Sequence, residues 1–257
     1  MARVRPPILE PVPGEPAATA TLEGERVLVI GDYHAGYEAG LRAERGVDVP
    51  SRATERRERL LTLLESGIDR LVVLGDLMHS IGGPGGAERG ELEVLLESLP
   101  PDLEVTLVKG NHDGAIEEWL PGLEVVPGDG VRLGPLGLCH GHTWPTREVL
   151  EADVVCLGHE HPCVRLEDEV GGSRVEPVWL RGQVDPEPFE ERPEYGELDL
   201  EAHAPGLVVV PAFNDLAGGT WVNVAGQSFL SPFLPDGLRS GEAYLLDGTR
   251  LGPYRDV

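Results

Sequence analysis

One unit recurs five times between residues 26 and 161 of this chain: a short apolar run that stops at a glycine-flanked cluster of His, Asp or Asn. The clusters read Gly31-Asp32-Tyr33-His34, Gly75-Asp76-Leu77-Met78-His79, Gly110-Asn111-His112-Asp113, His140-Gly141-His142 and Gly158-His159-Glu160-His161. The runs ahead of them, such as Arg26–Gly31 (RVLVIG), Arg70–Gly75 (RLVVLG) and Leu103–Lys109 (LEVTLVK), are rich in β-branched residues and read as buried strands. Helices are expected between them. Ser51 caps one whose Leu60, Leu61, Leu63 and Leu64 cluster on one side, and Glu88–Leu99 carries Leu92, Leu95 and Leu96 at helical spacing. Strands alternating with helices imply α/β layering with some parallel sheet. All the histidines except His203 then fall at the carboxyl ends of strands, where the loops of an α/β sheet converge on ligands.

From Leu123 the apolar runs come closer together, which suggests hairpins and a more antiparallel second half. Residues 1–25 read as a Pro-rich lead-in, and Arg181–Gly206, rich in Glu, Asp and Pro, as an acidic surface insertion. Strand-like runs resume at Leu207–Phe213, Gly219–Val224 and Glu242–Leu246. No repeat of solenoid period is present. The expectation is one domain over residues 1–257.

Composition narrows the partners. The chain holds 45 acidic against 21 basic residues, a net charge of −24, which opposes nonspecific attraction to nucleic acid or anionic lipid. Lys109 is the only lysine, and Asn and Gln number five together. Excess acid suits a salty interior, and few amides with many Glu and Arg suit heat, so habitat is the first reading of the acidity; a GC-rich mesophile is the alternative that also explains Arg replacing Lys. No apolar run approaches the roughly 20 residues of a membrane helix. Met1–Arg5, followed by Pro6 and Pro7, lacks a signal-peptide core, so a cytoplasmic location without membrane partners is expected. Cys139, Cys156 and Cys163 are too few for a disulfide framework and read as small buried hydrophobes.

Taken singly, each polar cluster is an ordinary turn. Five in order, each behind an apolar run, point to a metal site. Imidazole and carboxylate suit first-row divalent ions, and an Asn carbonyl fills a ligand position without adding charge. Two such ions about 3.5–4 Å apart can hold a hydroxide between them and neutralise the attacking and leaving oxygens of a phosphate.

The five motifs in this order resemble the calcineurin-like metallophosphoesterase superfamily, over Asp32 to His161. The resemblance implies a four-layer αββα sandwich with two mixed sheets and a two-metal site at one sheet edge. It implies Asp32, His34 and His161 on one ion, Asn111, His140 and His159 on the other, and Asp76 bridging both. Manganese is the first choice of metal, with iron, zinc or nickel also suited to these donors. His112 would lie near the phosphate as leaving-group acid or as a stabiliser of transition-state charge. His142 reads as substrate-side or as support for a ligand. In the Ser/Thr protein phosphatases of the superfamily, the residue three after the bridging Asp is another Asp; here it is His79. Gly75-Asp76-Leu77-Met78-His79 looks instead like the Gly-Asp-Leu-Phe-His run of SbcD-type repair nucleases, and Leu207–Asn214 (LVVVPAFN) like archaeal SbcD-related or ICC-like phosphoesterases. His79 is a substrate contact or a hydrogen-bonding support.

The sequence therefore predicts a two-metal hydrolase of phosphate esters, with phosphodiesters as the leading substrate class and nucleic acid as one candidate within it. A small-molecule or nucleotide phosphatase on the same site is the alternative, and a non-catalytic scaffold of this fold the third reading. Oligomeric state has no signature in the sequence.

Overall fold

The computed structural model describes residues 8–196 and 198–257. Of the lead-in expected over 1–25, residues 1–7 lie outside the described residues. The remainder corrects that expectation, since β1 (Glu10–Pro11) and β2 (Ala17–Leu22) are the first two strands of a sheet. β2 pairs antiparallel along the whole of β3 (Glu25–Ile30), which buries Ala17, Ala18 and Ala20. From β3 the sheet continues in parallel through β4 (Arg70–Val73), β5 (Glu104–Val108) and β6 (Glu124–Val126). Parallel neighbours need crossovers. Here these carry α1 (Tyr37–Arg45), α2 (Ala53–Leu64), α3 (Gly86–Ser98) and the single turn α4 (Ile116–Trp119).

The second sheet holds β7 (Val131–Leu133), β8 (Leu136–Cys139), β9 (Val154–Leu157), β10 (Cys163–Glu167), β11 (Ser173–Val184), β12 (Gly206–Val209), β13 (Leu238–Leu245) and β14 (Arg250–Pro253). Its order is β14-β13-β11-β12-β9-β8-β7, with β10 paired to β11 off that path. β8, β9 and β12 run parallel, and the other pairs are antiparallel. Three short helices, α5 (Arg147–Leu150), α6 (Glu187–Glu190) and α7 (Leu200–His203), follow its strands.

Side-chain alternation along each strand sets the layers. Val27 and Val29 join Val72, Leu74 and Val108 in a core that also takes Leu136, Leu138, Cys156, Trp179 and Val208 from the second sheet. Leu28 and Ile30 face the other way, with Leu71, Val73 and Leu107, onto Leu60 and Leu64 of α2 and Leu92 and Leu95 of α3. On the far side, Leu157, Val178, Leu180 and Val209 pack with Val149, Leu150, Phe189 and Leu200 of the short helices. The protein is an α/β sandwich of four layers, helix–sheet–sheet–helix, with two mixed sheets.

Two expectations about the second half change. Gly219–Val224 is not a strand; it makes one isolated bridge, between Cys163 and Trp221. The stretch from Arg181 to Gly206 is more than a surface excursion. Its first residues complete β11, and Phe189, Tyr195 and Leu200 are buried in the outer core, with the Tyr195 hydroxyl donating to Pro145 O at 2.5 Å. Among the described residues no helix is long and apolar enough to cross a membrane.

Candidate metal centre

Asp32 and His34 follow β3, Asp76 and His79 follow β4, and Asn111 and His112 follow β5. His140 follows β8, and His159 and His161 follow β9, so both sheets deliver loops to one edge. The backbone turns sharply there. Asp32, His34, Asp76, His159 and His161 all take left-handed φ values, 57°, 48°, 50°, 67° and 43°. Side chains other than glycine adopt that region at a cost, and such outliers collect at functional sites. Backbone bonds over-determine it: Asp32 N–H donates to Gly75 O at 3.1 Å and His34 N–H to Asp76 O at 2.9 Å. The loops leave no room beside them. A Cβ on Gly75 would sit 2.2 Å from His140 Nδ1, and one on Gly110 would sit 2.1 Å from Asp76 Oδ1.

Among the described residues three groups of donor atoms result: His34, His79 and His112 form one, and the two that contain carboxylates are the closer match to a metal site. In the first of these two, His161 Nε2 lies 3.2 Å from Asp32 Oδ1 and 3.4 Å from His34 Nε2, and His34 Nε2 lies 3.8 Å from Asp76 Oδ2. In the second, His140 Nε2 lies 3.1 Å from Asn111 Oδ1 and 3.5 Å from Asp76 Oδ1, and His159 joins Asp76 and His140 within a 4.8 Å span. Asp76 presents one oxygen to each group. The outward nitrogens fix the tautomers: His140 Nδ1–H donates to Leu74 O at 2.7 Å and His161 Nδ1–H to Gly218 O at 2.7 Å. Once its second proton has left, each ring therefore turns a bare Nε2 inward, the arrangement that orients metal-bound imidazoles. Asp32 is steadied by His159 N–H, at 3.0 Å to Oδ2. Lone pairs converging from two carboxylates and several imidazoles repel one another unless a cation lies between them. Donor atoms around an ion with bonds of about 2.1 Å stand roughly 3.0–3.4 Å apart, close to the spacings in the first group. The donor set fits a divalent metal.

Electrostatics agree. Burial, reinforced by His161, lowers His34 to about 3, and burial with the nearby His140 lowers His159 to about 4, so both rings are neutral donors at pH 7. For His140 burial also opposes charge, but its hydrogen bond to Asp76 and the charge of both carboxylates outweigh it and raise the ring to about 9. His161 is raised in the same way by Asp32 against its burial. Asp32 and Asp76 are lowered, because the surrounding imidazoles overcome the cost of burying them.

A profile of the calcineurin-like phosphoesterase superfamily domain matches residues 26–202, more than half of the chain. The chain belongs to the calcineurin-like phosphoesterase superfamily. It is accordingly a hydrolase acting on phosphate esters, in a family that depends on metal. Among solved structures, this superfamily member overlays a Pseudomonas putida nuclease, MPE, at 20% identity and a TM-score of 0.56, covering 95% of this chain and 100% of that one. That likeness shows a shared fold. A predicted phosphoesterase of Streptococcus pneumoniae is 17% identical over 56% of this chain and 66% of its own, with a TM-score of 0.25. Vps29 of Entamoeba histolytica is 24% identical over 58% and 71%, with a TM-score of 0.26. No curated protein matches.

The remaining polar residues divide by what they touch. His112 N–H donates to Asp76 Oδ1 at 2.9 Å, its Nδ1–H to His79 O, and its Nε2 lies 3.9 Å from Asp76 Oδ2. The His79 ring stacks on His112 at 5.6 Å and meets His34 at 5.5 Å. His142 lies 5.2 Å from the His140 ring. Asp113 is buried and accepts from Met78 N–H at 3.0 Å and Gly110 N–H at 2.9 Å, so it closes the loop turn; burial raises it to about 6. Glu160 points away from the centre and ties down Ser231 N–H at 2.6 Å and the Thr220 hydroxyl at 2.7 Å. His203 is exposed and bonds Ala152 O at 2.8 Å.

Three buried acids were not singled out from the sequence. Glu88 of α3 accepts from His79 N–H at 2.6 Å and Ser80 N–H at 2.9 Å. Glu91, one turn on, accepts from Gly36 N–H at 2.8 Å and Arg56 at 2.7 Å, and Arg56 also reaches Glu38 at 3.2 Å. A readable signal existed. Glu88, Glu91, Leu92 and Leu95 occupy positions i, i+3, i+4 and i+7, so both acids lie on the core face of their helix.

Proposed function

We propose that the protein is a two-metal phosphodiesterase of the SbcD-related branch, with nucleic acid among its substrates and manganese as the working metal. In this reading Asp32, His34 and His161 hold one ion, Asn111, His140 and His159 hold the other, and Asp76 bridges them. The observation that carries it is the pair of donor groups sharing Asp76, one carboxylate oxygen facing each. When bound, the cations supply the nucleophile at neutral pH and neutralise the phosphate's developing charge.

The chain's own residues do the rest. Leu74 O and Gly218 O hold His140 and His161 in the donor tautomer. His112, on the substrate side of Asp76, delivers a proton to the departing ester oxygen through Nε2, while its Nδ1–H stays anchored on His79 O. His79, lying against His112 and His34, contacts the phosphate. Support for a diester comes from His79 standing where protein phosphatases carry Asp, and from a sandwich shared with a protein described as a nuclease. A single domain spanning the chain and a cytoplasmic location complete the proposal.

The test is manganese-supplemented turnover of a phosphate bis-ester, a monoester, and single- and double-stranded DNA. Turnover of the bis-ester and DNA is expected; monoester turnover alone would replace the reading with that of a phosphatase. Asp76→Asn should abolish turnover while the far-ultraviolet spectrum stays native, and wild-type rates in that variant would refute the ligand assignment.

A further inference from the structure

A cavity of about 310 Å³ opens beside His161, outside the ring of donor atoms. Its size lies at the lower end of the roughly 300–1,000 Å³ typical of small-molecule sites. Its walls include Pro16, Pro162, Pro177, Val175, Ala212 and Trp221. His161 belongs to both places: Nε2 faces Asp32 at 3.2 Å, while Nδ1–H is held by Gly218 O at 2.7 Å, and Gly218 also lines the cavity. The cavity thus adjoins the metal centre, with the His161 ring as their shared wall.

The polar side chains around it already have partners. Arg59 pairs with Glu15 and lies over the Phe213 ring, and Asp215 pairs with Arg52 at 2.6 Å. Asn214 donates to His34 O at 3.4 Å and accepts from Leu216 N–H at 3.0 Å. The remaining walls are prolyl, aliphatic and indole surfaces, suited to a flat ring and poorly suited to a second phosphate. Trp221 is half-buried and fixed in place by its bridge to Cys163 and by Arg165, 5.9 Å from the ring centroid.

We infer that this cavity seats a nucleobase carried on one arm of the phosphodiester whose phosphate lies at the metal centre, with Trp221 as its stacking face. The inference rests on the phosphodiesterase reading and sharpens its substrate: a base must leave its stack to enter, which favours nucleotide diesters and unpaired ends over the interior of a duplex.

The test compares thymidine 5′-(p-nitrophenyl phosphate) with methyl p-nitrophenyl phosphate, using the manganese-loaded protein. Both release the same leaving group and differ in the nucleoside. The wild type should favour the nucleoside diester in kcat/KM. Trp221→Leu should cut that ratio about tenfold, chiefly through KM, as expected when base–ring stacking is lost. Val175→Phe, at a wall residue 46% exposed, should narrow the cavity and move the ratio the same way without disturbing the core. A ratio unchanged in both variants overturns the inference. Failure of the wild type to turn over either diester would instead defeat the phosphodiesterase reading. The cavity is then judged by calorimetric binding of thymidine 5′-monophosphate, where weaker binding to Trp221→Leu supports it and equal binding overturns it.

Discussion

His140 and His161 are the two imidazoles of the centre that hold protons too tightly to be ready donors. Carboxylates, working against burial, raise His140 to about 9, so without metal that ring carries charge at neutral pH, and Asp32 lifts His161 in the same direction. A cation must displace those protons. Metal loading at pH 7 is therefore expected to release protons, read as a dependence of the calorimetric heat on the buffer's ionisation enthalpy. Apparent affinity should rise with pH and level off above about 9, the pH at which half of the His140 rings have already lost the proton. The sign for stability follows. Groups whose folded pKa is raised stabilise the metal-free protein fully below the ordinary histidine value of 6.5, and that contribution fades as pH climbs towards about 9. The midpoint of thermal unfolding should thus fall across this window for the metal-free protein and stay flatter for the loaded one. Metal affinity independent of pH between 6.5 and 9 would remove His140 from the ligand set.

At the scale of elements, α3 acts on the two loops that carry Asp32, His34, Asp76 and His79. Glu88 holds the second loop through His79 N–H and Ser80 N–H, and Glu91 holds the first through Gly36 N–H. The loops also bond each other, Ala35 N–H to Leu77 O at 2.9 Å. Arg56 of α2 balances Glu91 and Glu38 in a buried triad whose side chains are 3%, 6% and 5% exposed. Removing a partner from a buried ion pair costs about 3–5 kcal/mol, because the remaining charge is left without compensation. Arg56→Met should lower stability by that order in chemical denaturation and hasten loss of manganese to a chelator; Glu91→Gln, which keeps an acceptor for Gly36, should do less. Equal metal retention in both variants and wild type would detach α3 from the site. The same elements show what the sequence could reveal. The nine site residues stand out because each follows an apolar run, and the folded chain links them by contacts into one cluster. α1 gave no such signal: its one buried residue is Glu38, so it has no apolar stripe to read. β11 was hidden because Pro177 and Gly182 interrupt its pattern, although it pairs with β10, β12 and β13. Glu88 and Glu91 escaped because a buried acid is recognisable only once the helix face it shares with leucines is known to be inside.

For the whole molecule the governing quantity is the net charge of −24. Local pairing does not neutralise it: Arg70 alone is shared by Glu25, Glu104 and Glu124. With 45 acids against 21 bases, most carboxylates meet more repulsion than attraction at long range. Raising salt from about 0.1 M to 1 M shortens the screening length from about 10 Å to about 3 Å, which removes distant repulsion while sparing buried pairs. Thermal stability should therefore increase over that range; a fall would mean that surface ion pairs dominate. The same field acts on substrate. A polyanion approaching a chain of this charge is repelled until it reaches the proposed metal centre, where bound cations would reverse the local potential. Salt should then raise kcat/KM for single-stranded DNA, where a basic nuclease would lose affinity through counterion release. A nucleoside diester with one charge should respond little, because it presents almost no long-range charge to repel. A steep decline in DNA turnover with salt would point instead to a basic track that captures the strand.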